Sequence, residues 1–303
     1  MKNGTIATLS ELIALKGLVQ NKRNGAKSQA SHMGHRDTRL RGRGMDFAEV
    51  RNYQAGDEIR HMDWRSTART GRPHIKLYQE ERERPVVLLV DFNPSMYFGT
   101  RDSFKSVLAA KLAALLAWIA VAEGDCVGSF LFSAQHHDAR LPKNRLQGVL
   151  PLLGNLSNYT KTIHHAEDTT PRPLNDVLLH LKRVLKPGSL LLFISDFYSL
   201  DDASEPLLRQ LKKHNDLIAY HIADPIEIIS PKSGLYPISN GKQTSYLDLR
   251  RKKARKTYSN QVKARIDAIE ACFNHLNSPY FPLTTASDWV ALAHQSFPRS
   301  RHA

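Results

Sequence analysis

Two aspartates directly follow apolar runs that are typical of buried strands. The run PVVLLV leads into Asp91, and the run SLLLFIS leads into Asp196. In an open parallel sheet, the loops after the carboxyl ends of the strands form the ligand crevice. If the two strands are neighbours, both carboxylates lie at one point, and Asn93 and Ser95 add neutral oxygens beside Asp91. Hard oxygen donors of this kind suit Mg²⁺ or Mn²⁺, so the sequence predicts a divalent-cation site.

A simpler role for these aspartates is helix capping. An aspartate after a strand often caps the next helix by accepting a backbone hydrogen bond. One such aspartate would favour capping, whereas two at equivalent strand ends favour a metal site. Because these loops lack histidine and cysteine, zinc is not expected.

The elements that must position these residues alternate from about Arg84 onward. Short runs rich in Val, Leu, Ile and Phe alternate with longer helical stretches, a pattern that predicts a mostly parallel sheet with helices on both faces. The fold class is therefore a doubly wound α/β domain. The most apolar run, 107–122, carries Lys111 and is shorter than a typical membrane span, so it predicts a buried helix and no membrane span.

Two flanking regions differ in composition from this domain. Residues 1–83 contain a short helix and an Arg- and Gly-rich segment with too few apolar residues for a core of its own, so we expect them to pack on the main domain. The main domain then spans 84–303 and carries a basic insertion at about 230–276. That insertion predicts a small hairpin (GLYPISN and QTSYLDL) and a long basic helix ending near Leu276.

The Arg-rich segment also carries a resemblance. Its residues are Arg43, Gly44, Met45, Asp46, Phe47, Glu49, Val50, Arg51, Tyr53, Gly56, Asp57, Arg60, Asp63, Trp64, Ser66, Ala68, Arg69 and Glu80. This pattern resembles the signature of the bacterial family known as domain of unknown function fifty-eight, and the likeness spans roughly residues 30–225. The DFNPS motif at 91–95 in turn resembles the metal-ion-dependent adhesion site of von Willebrand factor A domains.

The resemblance implies a von Willebrand A-like domain that acts as adaptor between a MoxR-type AAA+ ATPase and a client protein. It also implies a metal-ligand set. Asp91, Asn93 and Ser95 match the first loop of the adhesion site, with asparagine where serine is commoner, and Asp196 matches the last loop. The threonine ligand is Thr169 or Thr170.

The composition indicates the kind of compartment in which the protein works. The 303 residues include 43 basic and 29 acidic side chains, for a net charge of +14. The two cysteines, Cys126 and Cys272, do not form a metal-binding or disulfide framework, so a reducing compartment is favoured. Because the first residues lack a continuous apolar stretch, no signal peptide is expected, and we expect a cytoplasmic protein.

Sequence motifs favour a protein that is not an enzyme. The chain lacks a phosphate-binding G-x-x-x-x-G-K-[ST] loop and a G-x-S-x-G elbow. A dehalogenase-type phosphatase needs a second carboxylate two residues after the first, and Asn93 stands there. A metal-dependent hydrolase therefore remains only a weaker alternative. The main hypothesis is an interaction module whose metal receives a partner's carboxylate.

A dense basic stretch raises one more alternative. Between Lys242 and Arg265 lie nine basic residues and one acidic residue. Such a face binds nucleic acid, docks an acidic partner or is simply solvated. With few aromatic residues nearby, docking of an acidic partner is favoured over nucleic acid. The candidate docking residues are Arg250, Arg251, Lys252, Lys253, Arg255 and Lys256.

Overall fold

The computed structural model describes residues 4–19, 45–54, 56–80, 83–161, 170–229, 231–239 and 244–298. They fall into two compact units, one containing 4–19 and everything from Arg84 onward, the other containing the described residues from 45 to 83. The helices are α1 (Leu9–Ala14), α2 (Trp64–Thr70), α3 (Lys105–Ala122), α4 (Leu146–Lys161), α5 (Leu174–Val184), α6 (Ser204–Lys212), α7 (Lys252–His275) and α8 (Trp289–Ser296). The strands are β1 (Met45–Asn52), β2 (His74–Glu80), β3 (Pro85–Asp91), β4 (Cys126–Phe132), β5 (His137–Lys143), β6 (Leu190–Ser195), β7 (Asp216–Ala223), β8 (Leu235–Ser239), β9 (Thr244–Asp248) and β10 (Tyr280–Thr284).

The larger unit has a doubly wound sheet. Within the described residues its order is β10-β7-β6-β3-β4-β5, and every neighbouring pair is parallel except β4 with β5. The first strand of this sheet, β3, lies in its middle. The chain then adds β4 and β5 on one side of β3 and places β6 on the other side. The predicted α/β fold class is confirmed, and β3 and β6 are the neighbours that the sequence argument required.

Apolar side chains pack on both faces of this sheet. Successive residues of β3, such as Leu88 and Leu89, point to opposite layers. One layer contains α1, α3, α4 and α8, and the other contains α5, α6 and the last turns of α7. Because both faces of the central strands are covered, these strands need continuous apolar sequence, and that continuity made them recognisable.

Helix α3 is the predicted buried helix. Among the described residues it is the helix that is long and apolar enough to cross a membrane by length and composition, and 83% of it is buried inside the α/β unit. It begins at Lys105, two residues before the apolar run. Its burial explains the run as part of a protein core.

The N-terminal helix α1 belongs to the α/β unit. Thr8 and Glu11 form a capping box that starts this helix. The indole nitrogen of Trp118 in α3 donates to the Leu12 carbonyl (3.0 Å), and the Ala7 amide donates to Thr160 Oγ1 (3.1 Å). The short helix is therefore anchored by hydrogen bonds as well as by burial of Leu12.

The smaller unit contains β1 and β2, which pair antiparallel, and helix α2. The Asp63 carboxylate caps α2 by accepting from the Arg65 and Ser66 amides, and Gly71 ends the helix in a left-handed conformation (φ 71°). Asp57 pairs with Arg51 at 2.7 Å. The predicted packing of the Arg-rich segment on the main domain stays a prediction.

The region after Asp224 follows the sequence expectation in outline. Strands β8 and β9 form the predicted hairpin, and α7 is the predicted basic helix. The last turns of α7 bury Ile269, Cys272 and Phe273 in the core. The end of the basic helix therefore belongs to the core of the α/β unit.

Strand β5 does not follow from the sequence analysis above, which predicts no strand there. Its sequence, HDARLPK, lacks an apolar run because the strand lies at the sheet edge and is mostly solvent-exposed. An edge strand is held through backbone pairing on one side only, so its side chains carry little signal. Pro142 fits the same edge position.

Candidate functional site

The two predicted aspartates lie side by side at the carboxyl edge of the sheet. Asp91 ends β3 and Asp196 follows β6, and residues 86–90 of β3 pair with 190–194 of β6. The chain reverses its direction of sheet building between these two strands, which makes this edge the topological switch point where ligands bind in open α/β sheets. Both carboxylates are almost fully buried.

Asp91 is held by hydrogen bonds to both of its oxygens. Oδ1 accepts from the Asn93 amide (2.8 Å), and Oδ2 accepts from the Ser195 hydroxyl (2.7 Å). Burial, together with the neighbouring Asp196 carboxylate, raises the pKa of Asp91 to about 7. The Asp91 side chain thus links β3 to β6 at the switch point.

The Asn93 side chain connects the first loop to a distant segment. Its Oδ1 accepts from the Arg172 amide (3.0 Å), and its Nδ2 donates to the Arg172 carbonyl (3.4 Å). Arg172 follows Thr170, so the asparagine contacts the loop in which the sequence placed the threonine ligand. An asparagine amide matches a backbone amide in this way because its acceptor and its donor are on separate atoms.

The other predicted ligands are less closely assembled. Ser95 is half-buried in the short 3₁₀ turn Pro94–Met96. Thr170 is exposed, and Thr169 lies outside the described residues. The structure therefore brings Asp91 and Asp196 together, with Asn93 beside them and turned toward Arg172.

A residue that the sequence argument missed, Lys105, lies at the centre of the site. Its side chain is completely buried at the start of α3, and Nζ donates to Asp196 Oδ2 (2.9 Å) and to Glu227 Oε1 (2.8 Å). Burial by itself would lower the pKa of Lys105, but the two carboxylates outweigh that effect and raise it above its ordinary value. We name Asp91, Lys105, Asp196 and Glu227 the switch-point cluster.

Glu227 is fixed by a capping box. Its Oε2 accepts from the Asp224 amide (2.8 Å), while Asp224 Oδ1 accepts from the Ile226 amide (3.1 Å). The short turn Pro225–Glu227 after β7 thereby orients the carboxylate toward Lys105. A signal for this residue existed in the sequence, since D-P-I-E is a capping-box pattern after an apolar strand.

A cavity of about 230 Å³ opens beside the cluster, between the ends of β6 and β7 and helix α7. Its walls include Asp196, Tyr198, His221, Glu227, Tyr258 and Arg265. The Arg265 guanidinium lies 3.0 Å above the centre of the Tyr198 ring and donates to the Asp196 carbonyl (3.1 Å). Helix α7 therefore lies against one side of the site, and its Arg265 guanidinium stacks on the Tyr198 ring there.

The arrangement does not fit a divalent cation held by the predicted set. Asp196 Oδ2 already accepts from the Lys105 ammonium, and Asn93 Oδ1 accepts from the Arg172 amide. Within the described part of the chain, no group of three or more His, Cys, Asp or Glu side chains is arranged to hold a metal ion. Mg²⁺ or Mn²⁺ at this edge stays a prediction from the sequence.

The candidate docking residues near the start of α7 divide into two kinds. Arg250 makes a two-point ion pair with Asp248 (2.9 and 2.8 Å), and Arg255 donates to the carbonyls of Leu249 and Arg250. Arg255 thus ties the end of the hairpin to the helix, whereas the Arg250 ion pair is local. The other four, Arg251, Lys252, Lys253 and Lys256, are exposed like Arg250, and we name these four the basic patch.

Fold and site together define a doubly wound α/β protein with a buried charged cluster at its switch point. Residues 49–267 match the family described as "Protein of unknown function DUF58", and the chain belongs to this family. Similar relatives include the uncharacterized proteins Rv1480 of Mycobacterium tuberculosis and Mb1516 of Mycobacterium bovis. Each is 25% identical over 251 residues, covering 82% of this chain and 78% of the relative.

Solved structures give a looser likeness. A crystal structure of the conserved hypothetical protein BatB from Bacteroides thetaiotaomicron matches with a TM-score of 0.41 and 12% identity, covering 70% of this chain and 96% of that one. A von Willebrand factor type A protein from Catenulispora acidiphila matches with a TM-score of 0.31 and 11% identity, covering 49% of this chain and 35% of that one.

Proposed function

We propose that this protein is a non-catalytic interaction module that docks a partner at the carboxyl edge of its sheet. The observation that carries the proposal is that the Asp91 and Asp196 carboxylates lie close together at the switch point, at the ends of neighbouring strands. Exposed loops surround this buried cluster, and loops on a rigid scaffold are where binding surfaces form. Tyr198, with 51% of its surface exposed, presents an aromatic ring at the mouth of the site.

The hydrogen bonding of the cluster supports a binding role over catalysis. Both oxygens of Asp91 accept hydrogen bonds inside the protein, and the Lys105 ammonium is shared between two carboxylates. A general acid or base must reach a proton on its substrate at hydrogen-bond distance. Groups that are buried and mutually satisfied hold the loops in place instead. The purified chain should therefore hydrolyse neither ATP nor simple phosphate esters.

The partner that we propose is a MoxR-type AAA+ ATPase, with the module linking it to a client protein. Family membership supports this choice through the adaptor role that the sequence resemblance implies. The basic patch adds an electrostatic contribution, because four exposed cations at one helix start favour an acidic surface on the partner. Nucleic-acid binding through 242–265 is the competing use of the same charges.

Two tyrosine variants test the docking site. The tagged chain is used to capture the MoxR-type ATPase from the native host, and Tyr198→Ala should lose most of the captured ATPase. Tyr246→Ala is the matched control, because Tyr246 is 65% exposed on the β8–β9 hairpin and does not line the cavity beside the cluster. Equal capture by both variants, or loss only with Tyr246→Ala, would contradict docking at the switch point.

A further inference from the structure

We propose that the Lys105 ammonium is the resident cation of the switch-point cluster, so that the cluster keeps its charge balance and shape without a divalent metal ion. Nζ lies 2.9 Å from Asp196 Oδ2 and 2.8 Å from Glu227 Oε1. These are distances of charge-assisted hydrogen bonds. The consequence for docking rests on the proposed function, whereas the charge assignment itself concerns this chain alone.

The surroundings of Lys105 suit an ammonium group. Besides the two carboxylates, the Tyr198 ring centre lies 5.0 Å from Nζ and the Phe98 ring centre lies 5.9 Å away. Aromatic faces at these distances attract an ammonium or a guanidinium. A Mg²⁺ ion needs octahedral oxygen ligands and retains several waters, for which aromatic walls offer no partners. The two carboxylates and two aromatic rings around Nζ therefore suit an ammonium group better than a metal ion.

The backbone fixes Lys105 among these carboxylates and rings. Phe104 precedes α3 in an extended conformation, and the Lys105 amide donates to the Phe98 carbonyl (2.9 Å). The loop that carries the Phe98 ring is thereby tied to the first residue of the helix. The lysine stem is buried along with its head group, so the charge cannot move out to solvent.

A divalent ion bound to Asp196 would have to compete with this arrangement. Like charges a few ångströms apart repel strongly where water is excluded. Arg265 adds a second positive charge near Asp196, because its guanidinium donates to the Asp196 backbone carbonyl. Lys105 and Arg265 thus supply two positive charges beside Asp196 and Glu227. The third carboxylate of the cluster, Asp91, accepts hydrogen bonds from the Asn93 amide and the Ser195 hydroxyl on its two oxygens.

The first experiment titrates MgCl₂ and MnCl₂ into the full chain by calorimetry and records thermal unfolding in EDTA and in millimolar Mg²⁺. We expect no saturable binding and no shift of the melting temperature. Saturable binding of either ion that Asp196→Ala abolishes would overturn the proposal, because it would place a metal where the lysine is assigned.

The second experiment removes the charge while keeping the length of the side chain. Lys105→Met should lower the melting temperature by roughly 10 °C, because the buried Asp196 carboxylate and the partly buried Glu227 carboxylate lose their cation. Adding Asp196→Asn to Lys105→Met should recover about half of that loss, since one unpaired charge disappears. Lys111→Met, in the same helix but outside the cluster, is the matched control and should change little.

The outcomes separate charge from packing. Recovery by the second substitution supports the assignment, even if Lys105→Met alone does not fold. Lack of recovery, or a Lys105→Met chain as stable as Lys111→Met, would overturn it. Because none of these measurements uses a partner, their failure would leave the proposed docking role standing, and failure of ATPase capture would leave the charge assignment standing.

Discussion

The switch-point cluster and the basic patch are both dense in charge, and they use it in opposite ways. In the cluster, the completely buried Lys105 ammonium lies at hydrogen-bond distance from the Asp196 and Glu227 carboxylates. In the basic patch, four cations of one sign are exposed at the start of α7. Buried charges must be satisfied inside the protein, whereas exposed charges of one sign remain available to a partner. The cluster therefore holds the loops of the site in place, and the basic patch attracts the docking partner.

The largest effect that tests this comparison is on stability. Asp196→Asn removes one of the two carboxylates that hold Lys105 and should lower the free energy of unfolding by about 3 kcal/mol, as expected for breaking a buried ion pair. Asp248→Asn breaks the ion pair with Arg250, which is exposed, and should have little effect. Denaturant unfolding of both variants measures the difference. Equal losses would show that burial does not distinguish the two regions.

The pH dependence of folding stability tests the burial of His221 beside the cluster. Burial, against the opposing effect of the Asp196 carboxylate and with a smaller contribution from the Arg265 and Lys105 charges, lowers the pKa of His221 to about 4. Its Nδ1 lies 2.6 Å from the Tyr280 hydroxyl. The folded state keeps this ring neutral, whereas the unfolded chain takes up a proton near pH 6.5. The stability that the neutral ring provides is thus complete above pH 6.5 and is lost as the pH falls toward 4, by at most about 1.4 kcal/mol per pH unit.

The matched histidine variants isolate this contribution from carboxylates that titrate in the same range. His221→Gln should flatten the loss of stability between pH 6.5 and 4. His275→Gln, at the exposed end of α7, should leave the pH profile of the wild type unchanged. A His221→Gln profile parallel to that of the wild type would mean that this ring is not held neutral by burial.

The sequence predicts the parts of the site that depend on single elements. Asp91 and Asp196 stand out because each follows a buried strand, and an apolar run is recognisable without knowledge of its neighbours. The role of Lys105 depends on Glu227, 122 residues away, and at the head of an apolar helix the lysine resembles a solvated first residue. The orientation of Asn93 depends in the same way on the backbone of Arg172, 79 residues away. Contacts between distant segments are set by tertiary packing, which local patterns do not encode.

The structure also refines which basic residues should matter for docking. The sequence treats Arg250 through Lys256 as one set, because spacing alone cannot show which side chains bend back onto the backbone. Arg255 donates to the Leu249 and Arg250 carbonyls at 2.9 Å each, so replacing it would disturb the hairpin as well as the charge. A test of charge alone must therefore leave Arg250 and Arg255 in place.

The smallest expected change in stability comes from the basic patch itself. Replacing Arg251, Lys252, Lys253 and Lys256 with glutamine should leave thermal stability unchanged or slightly higher, since cations near the start of a helix oppose its dipole. The same variant should bind the partner about tenfold more weakly at low salt, and the salt dependence of binding should flatten. Capture of the ATPase across a salt series measures both effects. If capture is unchanged and retention on DNA is lost instead, the patch binds nucleic acid; if neither changes, its charges are only solvated.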